Sequence, residues 1–293
     1  MLRLIIKREI STILGSKAMR ISSAIIVVLL LAGGAIAGYF LDRENVTIGT
    51  PPEPTGNTVA TNPVGYLLSM IAILIVFTPT VIGMSALNMS VVEEKSSRIV
   101  EILLSTVKPR TLLLGKVLGV GAAMLAVITT YILALFGGLY LAGVMPTMGS
   151  LGRMGVWGLL PMTFVWMAVF FLTITSIGGA ISATVSRQED LSGVQTPLIF
   201  MCLAPLYVAM YLVPHAPDLA VTRILSHVPV FSPLMMPVRM SMGGLQAWEQ
   251  PLALALSAVA IVLLAALSGR IYERSVLHTG SRVKFSQIFG KRA

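Results

Sequence analysis

Residues 91–116 read VVEEKSSRIVEILLSTVKPRTLLLGK and form the one long, charge-dense segment between two long apolar runs. Its ionised residues are Glu93, Glu94, Lys95, Arg98, Glu101, Lys108, Arg110 and Lys116. At 3.6 residues per turn, an apolar stripe that begins at Val92 leaves Glu94 and Arg98 on another face, and these two have the favourable i,i+4 order. Pro109 ends this helix or begins another. The pattern predicts a helical hairpin that docks on a partner; periodicity alone also fits a solvated loop.

The rest of the chain is strongly apolar. Hydrophobic residues make up 56% of it and charged residues 11%, whereas soluble domains are about one quarter charged. Six apolar runs can cross about 30 Å of hydrocarbon as helices. They are residues 21–41, 66–90, 117–144, 159–185, 191–213 and 252–270. The sequence therefore predicts an all-α integral membrane protein, a single transmembrane domain of residues 1–293 with six transmembrane helices.

The distribution of positive charge predicts the orientation of these helices. Of the 21 Lys and Arg residues, 17 lie in residues 1–20, 91–116, 187 and 270–293. The opposite loops hold only Arg43, Arg153, Arg223 and Arg239. The positive-inside rule then places both termini, including the basic tail 271–293, in the cytoplasm. The net charge of +9 is thus an orientation signal and a contact for anionic membrane lipid, and it is not a nucleic-acid footprint.

Residues 1–20 have the pattern of an interfacial amphipathic helix. The apolar residues of one side are Leu2, Ile5, Ile6, Ile10 and Ile13, and the other side carries Arg3, Lys7, Arg8 and Ser11. We expect the apolar side to lie in lipid and the basic side to face headgroups, as an elbow before the first span. A secretory signal peptide is the alternative, since Ala35-Ile36-Ala37 mimics a cleavage site.

Three pieces of the charged segment, Glu93–Thr106, Pro109-Arg110 and Leu114–Lys116, resemble the first cytoplasmic loop of type-2 ABC exporter permeases, most closely the NatB-like sodium-export permeases. The resemblance implies a cytoplasmic coupling helix that sits in a cleft of a separate ABC ATPase subunit. The ATPase-coupling candidates are Glu93, Glu94, Arg98, Ile99, Glu101, Leu104 and Arg110, joined by Gln188 and Glu189 of the next cytoplasmic turn.

This chain has no nucleotide-binding signature of its own. Gly115-Lys116 could be mistaken for a phosphate loop, but no Gly lies five residues earlier and no Ser or Thr follows the lysine. We therefore expect no cofactor on this chain, with ATP and Mg bound by the partner ATPase. Gly115 and Gly119 instead form a small-xxx-small face that permits close helix approach.

Several residues inside the apolar runs are candidates for a transport pathway. Prolines within helices commonly cause kinks, and a polar side chain at membrane depth should face protein or a water-filled cavity. The pathway candidates are Thr78, Pro79, Asn88, Pro197 and Pro205. Ordinary helix packing is the alternative explanation for Asn88. In the turn before the fifth run, Glu189 and Asp190 would cap the following helix or form a second ATPase contact.

Residues 214–250 are broken into short pieces by proline. Within them Val228–Arg239 resembles a second NatB-like signature, which implies short re-entrant helices that dip into the outer leaflet and close the exit. The exit-gate candidates are Phe231, Met235, Met236 and Arg239. Simple interfacial packing, with Arg239 reaching the headgroups, is the alternative.

Coupling to an ion gradient and catalysis both lack the residues that they need. No ionisable residue lies in the core of any apolar run, whereas ion-coupled carriers normally need one near the midplane. Paired carboxylates, a nucleophile with its base and metal-ligand spacing are missing, and Cys202 is the single cysteine. The sequence thus predicts a non-enzymatic membrane subunit with no metal site, powered from outside the chain.

These observations predict the permease subunit of an ATP-driven ABC exporter in a bacterial or archaeal cytoplasmic membrane. Its partners would be the ABC ATPase and a second permease copy, either itself or a paralogue, because a dimer seam can enclose a route that six apolar helices cannot. The resemblance implies sodium as substrate, and the apolar lining suits a hydrophobic drug or lipid equally. A scaffold or regulator that recruits a cytoplasmic partner through residues 91–116 is the alternative, and a passive channel comes third.

Overall fold

The computed structural model describes residues 2–43, 63–96, 109–141, 156–185, 187–243 and 245–275, and the elements in these ranges are all helical. The helices are α1 (Leu2–Gly15), α2 (Lys17–Arg43), α3 (Pro63–Ser96), α4 (Pro109–Leu141), α5 (Val156–Ser182), α6 (Ser192–Tyr207), α7 (Val213–His215), α8 (Ala220–Ser226), α9 (Ser232–Met242) and α10 (Glu249–Ser275). A 3₁₀ turn, Gln188–Asp190, precedes α6, and a π-helical turn, Val208–Leu212, joins α6 to α7.

Within the described ranges, five helical segments are long and apolar enough to cross a membrane. They are Ser69–Lys95, Thr111–Gly138, Trp157–Ser182, Gln188–His215 and Glu249–Glu273. This confirms an all-helical, multi-pass membrane protein. The segments Leu2–Gly15 and Met19–Gly33 pass the same test only as a pair that bends by 60°. The sixth span and the interfacial elbow therefore stay predictions.

The long helices continue into the segment that was predicted to be a separate hairpin. α3 runs to Ser96 and α4 begins at Pro109, so only residues 97–108 lie between the two described helices. Pro109 opens a helix, in agreement with the tolerance of the first turn for proline. Both flanks of residues 91–116 thus belong to the long helices α3 and α4.

The core lies where α9 packs against α3 and α5. Side chains of these three helices, joined by Leu198 and Cys202 of α6, form the largest buried cluster. α10 packs on α5, while α1 and α2 both pack on α4. The helix α9 is therefore part of the protein interior although it is too short to span a membrane.

The glycine face of α4 receives α1, as the small-xxx-small spacing predicted. A Cβ atom at Gly119 would lie 2.7 Å from Cβ of Glu9, and one at Gly115 would lie 2.8 Å from Cγ2 of Ile5. The expectation that the apolar side of α1 lies in lipid is therefore wrong for its inner residues. Ile5 packs against protein, and Ile13 is buried, because the missing glycine side chains let the two backbones approach.

We expect Gly119→Ala to loosen the docking of α1 by about 1–3 kcal/mol, since overpacking a close contact costs that much. The measurement is limited proteolysis of α1 in the folded protein, which should become faster. Gly33→Ala is the matched control, because a Cβ atom at Gly33 meets nothing within 4 Å. Equal proteolysis of both variants would contradict a tight α1–α4 contact.

The prolines of α3 and α6 affect the two helices differently. α3 runs through Pro79 as one unbroken helix, and the Thr80 hydroxyl donates a 2.7 Å hydrogen bond to the Val76 carbonyl oxygen. In α6, Pro205 is followed three residues later by the π-helical turn, in which the normal i to i−4 ladder is interrupted. The kink expected from the prolines of the fifth apolar run thus takes the form of a π-helical turn after Pro205.

Candidate functional site

A buried ionic cluster joins α1, α3 and α4 at one end of the bundle. The Lys116 Nζ atom lies 3.1 Å from Oε2 of Glu94 and 3.5 Å from Oε1 of Glu9. The three side chains are almost completely buried. Each acid is carried by a different helix from the lysine, so the cluster fixes three helices relative to one another.

Two further groups complete this cluster. Arg8 is about half exposed, and its Nη1 donates a 2.9 Å hydrogen bond to Oε1 of Glu94. The Ser90 hydroxyl donates to Oε1 of Glu9 at 3.3 Å and accepts a short hydrogen bond from Lys116 Nζ. Two cations therefore face two anions, which is the balance that buried charges require.

The position of the cluster relates it to the segment between α3 and α4. Glu94 lies in the last turn of α3, which ends at Ser96, and Lys116 lies in the second turn of α4, which begins at Pro109. The Glu94–Lys116 ion pair thus ties together the two helical stems at the base of residues 97–108. A force on that segment would move both stems together.

Contacts beside the cluster extend it to α5 and α6. The Lys95 Nζ atom donates a 2.8 Å hydrogen bond to the Ala183 carbonyl oxygen, just after the C-terminus of α5. Val92 packs with Val185 and Leu191, which precedes α6. The end of α3 therefore contacts the ends of α4, α5 and α6, and a displacement there reaches four long helices.

A cavity of about 810 Å³ opens beside the cluster, between the α1–α2 bend, α3 and the start of α6. Its walls include the charged side chains of Arg8, Glu9, Glu93 and Glu94 and the amide side chain of Gln195. The Gln195 amide nitrogen donates a 2.6 Å hydrogen bond to the Ser85 hydroxyl. This end of the bundle thus presents a polar chamber next to apolar helix surfaces.

The structure separates the ATPase-coupling candidates into three groups. Arg98, Ile99, Glu101 and Leu104 lie outside the described residues, and for Arg110 only its place in the first turn of α4 is described. Glu93, Gln188 and Glu189 are exposed at the same end of the bundle. Glu94 differs from the expectation that it faces away from the apolar stripe, because Arg8 and Lys116 draw its carboxylate inward.

The acidic residues before α6 do not cap that helix. The residue before α6 is Leu191, which has helical backbone angles, and no side chain caps the helix start. Glu189 and Asp190 instead belong to the exposed 3₁₀ turn. The prediction that these acidic side chains cap α6 is thus wrong. An ATPase contact at this turn stays a prediction.

The pathway candidates occupy different environments and do not form one site. Asn88 is buried against Gly178 of α5, where a Cβ atom would lie 2.8 Å from its Oδ1 atom. Thr78 lines a small apolar cavity, and Pro79 is buried beside it. Pro197 is exposed and Pro205 is buried. The Asn88 position fits close helix packing, and a pathway role for these residues is still untested.

The exit-gate candidates lie on or beside α9. Met235 and Met236 are fully buried, and Phe231 packs half-buried against the core. Arg239 is only 2% exposed and forms an ion pair with Glu249, the first residue of α10. Interfacial packing with Arg239 at the headgroups is therefore wrong, because Glu249 holds the guanidinium inside the protein.

Sequence reasoning missed the most connected residues of the ionic cluster. The amphipathic pattern places Arg8 on the headgroup-facing side of α1 and assigns no role to Glu9, and it counts Lys116 as one positive charge among many. The available signal was small: Glu9 is the only acid in residues 1–20, and Lys116 lies directly after Gly115 on the close-packing face. A lone acid among bases and a lysine on a glycine face indicate buried partners.

Comparison with known proteins gives a consistent picture. A model of the family described as "ABC-2 family transporter protein" matches residues 10–268. Uncharacterized protein YhaP of Bacillus subtilis (strain 168) is 28% identical over 241 residues, covering 80% of this chain and 56% of YhaP. Uncharacterized protein MJ1024 of Methanocaldococcus jannaschii is 27% identical over 188 residues, covering 64% of this chain and 44% of MJ1024. The chain spans about half the length of these curated relatives.

Proposed function

This chain belongs to the ABC-2 family of transporter proteins, and from that premise we propose that it is the permease subunit of an ATP-driven exporter. Family members are membrane components of transport systems. The finer parts of the proposal are a separate ABC ATPase that supplies the energy, and residues 97–108 as the segment through which that energy enters.

The buried ionic cluster is the observation that carries this proposal. Glu94 and Lys116 tie the two stems of residues 97–108 to each other at 3.1 Å, and Arg8 ties the first stem to α1. Ion pairs that are buried and hydrogen-bonded are costly to break. A movement of the segment is therefore transmitted to α1, α3 and α4 as a unit and is not absorbed locally.

The exposed residues at this end supply a surface for the ATPase. The 3₁₀ turn that carries the exposed Gln188 and Glu189 packs against α3, and Glu93 is exposed near the C-terminus of that helix. Together with residues 97–108 they would face a partner that binds ATP and Mg. Nucleotide binding can shift the permease only by its differential affinity for the two states.

A second copy of the permease, identical or paralogous, completes the proposed exporter. The spans that would meet at the seam are α3 and α6. Phe200 and Tyr207 of α6 and Tyr211 of the π-helical turn that follows it leave large aromatic surface exposed. Substrate identity depends on the lining of that seam, and the two proposed substrate classes are sodium and an apolar or amphipathic molecule.

We expect the double variant Arg98→Ala/Glu101→Ala to uncouple ATP hydrolysis from export. The purified permease would be reconstituted in liposomes with its ATPase, and hydrolysis and substrate efflux would be measured in parallel. Hydrolysis should persist while efflux falls about 5- to 150-fold, the effect of losing about 1–3 kcal/mol of coupling free energy.

The matched control is Arg223→Ala/Asp218→Ala, which removes an exposed ion pair outside the proposed ATPase surface. This control should retain efflux. Normal efflux by the Arg98→Ala/Glu101→Ala variant would contradict the coupling role of residues 97–108. Failure to copurify or function with any ABC ATPase would instead favour a scaffold that recruits another cytoplasmic partner.

A further inference from the structure

Lys95 is a buried cation that has no carboxylate beside it. The residue is 2% exposed, and within the described ranges no Asp or Glu lies within ion-pairing distance of its Nζ atom. The other buried cations of these ranges, Lys116 and Arg239, each pair with a glutamate, as buried charges require. The Lys95 ammonium instead donates its 2.8 Å hydrogen bond to the Ala183 carbonyl oxygen, so its compensation comes from the backbone.

The C-terminus of α5 provides this compensation. Ala183 follows Ser182, the last residue of α5. The carbonyl groups of a helix's last turn have no partner within the helix, and together they carry a partial negative charge that favours a cation. The last turn of α5 contains no basic residue of its own. Lys95, which belongs to α3, therefore acts as the C-terminal cap of α5 from a neighbouring helix.

This cap adds a directional link between α3 and α5. Lys95 is the penultimate residue of α3. The ionic cluster links that end of α3 to α1 and α4, and none of its members belongs to α5. Near the cap, Val91 and Ala183 share a buried apolar cluster, and Leu87 lies beside Gly179. Apolar contacts are not directional, whereas a hydrogen bond depends on distance and angle, so the Lys95 bond restrains sliding of α5 along α3.

We propose that Lys95 is the positioning residue that transmits a displacement of the C-terminal end of α3 to α5, by capping α5 from α3. The inference rests on the proposed function, in which this end of α3 receives the movement that the ATPase causes. Breaking the cap would leave a buried ammonium and a helix end uncompensated at the same time. The end of α5 therefore follows α3, while the ionic cluster carries the same movement to α1 and α4.

Hydrogen–deuterium exchange of the full chain in nanodiscs tests the cap without any partner. Lys95→Met should fold, because it removes the buried charge and keeps an apolar chain of similar length. Amide exchange in residues 179–185 should become about two- to fivefold faster, as for a cation lost from a helix C-terminus. Lys95→Arg keeps the cation and should keep exchange slow. Unchanged exchange in Lys95→Met would overturn the proposal.

Two further variants complete this comparison. Lys17→Met is the matched control, since Lys17 is exposed at the start of α2, and it should leave exchange in residues 179–185 unchanged. Lys95→Gln keeps an N–H donor without the charge, and it takes the place of Lys95→Met in every assay if that variant yields no folded protein. Equal acceleration by Lys17→Met and Lys95→Met would overturn the cap.

Transport per ATP hydrolysed tests the transmission. The permease and its partner ATPase would be reconstituted in liposomes, with radiolabelled sodium and ethidium as probes for the two proposed substrate classes. We expect Lys95→Met to lower probe transport per ATP about fivefold or more while hydrolysis persists, and Lys95→Arg to restore the ratio. A merely structural loss would lower hydrolysis and transport together and leave the ratio unchanged. An unchanged ratio in Lys95→Met would overturn the transmission.

The two assays separate this inference from the proposed function. Faster exchange in Lys95→Met, without ATP-driven transport of either probe by the parent, would refute the proposed exporter and its transmission and leave the cap standing. Transport by the parent with an unchanged ratio in Lys95→Met would refute the transmission alone. A ratio that Lys95→Met lowers, and that Lys95→Arg and Lys17→Met preserve, would support both.

Discussion

We expect Lys116→Met to lower the free energy of unfolding by about 3–5 kcal/mol, because removing one partner of a buried ion pair leaves an uncompensated charge. Lys116 is the only cation within ion-pairing distance of Glu9 among the described residues. Glu94 keeps its pair with Arg8, so most of the cost arises at Glu9. The measurement is reversible unfolding in mixed micelles, together with the yield of folded protein from membranes.

A second substitution identifies the source of this loss. Glu9→Gln in the Lys116→Met background removes the uncompensated charge and should restore much of the stability. Arg223→Met is the control for an exposed ion pair, whose side chains are 49% and 73% exposed, and it should change stability by less than about 1 kcal/mol. Equal effects of Lys116→Met and Arg223→Met would contradict a buried, structurally required cluster.

Arg239→Met has the second large expected effect, again a loss of about 3–5 kcal/mol. The guanidinium and the Glu249 carboxylate are 2% and 3% exposed. Because solvent hardly reaches them, each group neutralises the charge of the other. The pair joins α9 to α10, and α9 lies in the core between α3 and α5. The loss should appear in the unfolding free energy and as faster proteolysis between α9 and α10.

The double variant Arg239→Met/Glu249→Leu separates the ion pair from side-chain packing. Replacing both members of a buried pair by apolar residues of similar volume is often neutral or stabilising. We therefore expect the double variant to be at least as stable as the parent, within about 1 kcal/mol. A double variant as unstable as Arg239→Met would show that packing around Trp166 and Met236, and not charge, holds α9 in place.

The membrane character and most of the long helices could be predicted from the sequence because they depend on local properties. Continuous apolar runs determine where a helix can cross lipid, and Pro109 and the Gly115/Gly119 spacing act within a few residues. The ends of α3 and α10 were harder to place, since charged residues such as Lys95 and Glu249 are accommodated in these helices by partners that lie on or after other helices.

The candidate site depended on such distant contacts and was only partly predictable. The sequence marks Glu94 as a candidate because of its charged surroundings, yet its partners Arg8 and Lys116 lie 86 residues before it and 22 residues after it. Local periodicity placed Glu94 on the face away from the apolar stripe. A periodicity within one helix carries no information about a cation on another helix that can neutralise a buried carboxylate. For the same reason Arg239 was expected at the headgroups, although Glu249 draws it inside.

The Glu9–Lys116 contact also constrains the order of events during biosynthesis. At about 5–20 residues per second, the ribosome reaches Lys116 about 5–20 s after it has made Glu9. Throughout that delay α1 carries an acid whose counter-ion does not yet exist, and the glycine face that receives it is still unmade. Although α1 precedes α4 in translation, it can settle into place only afterwards.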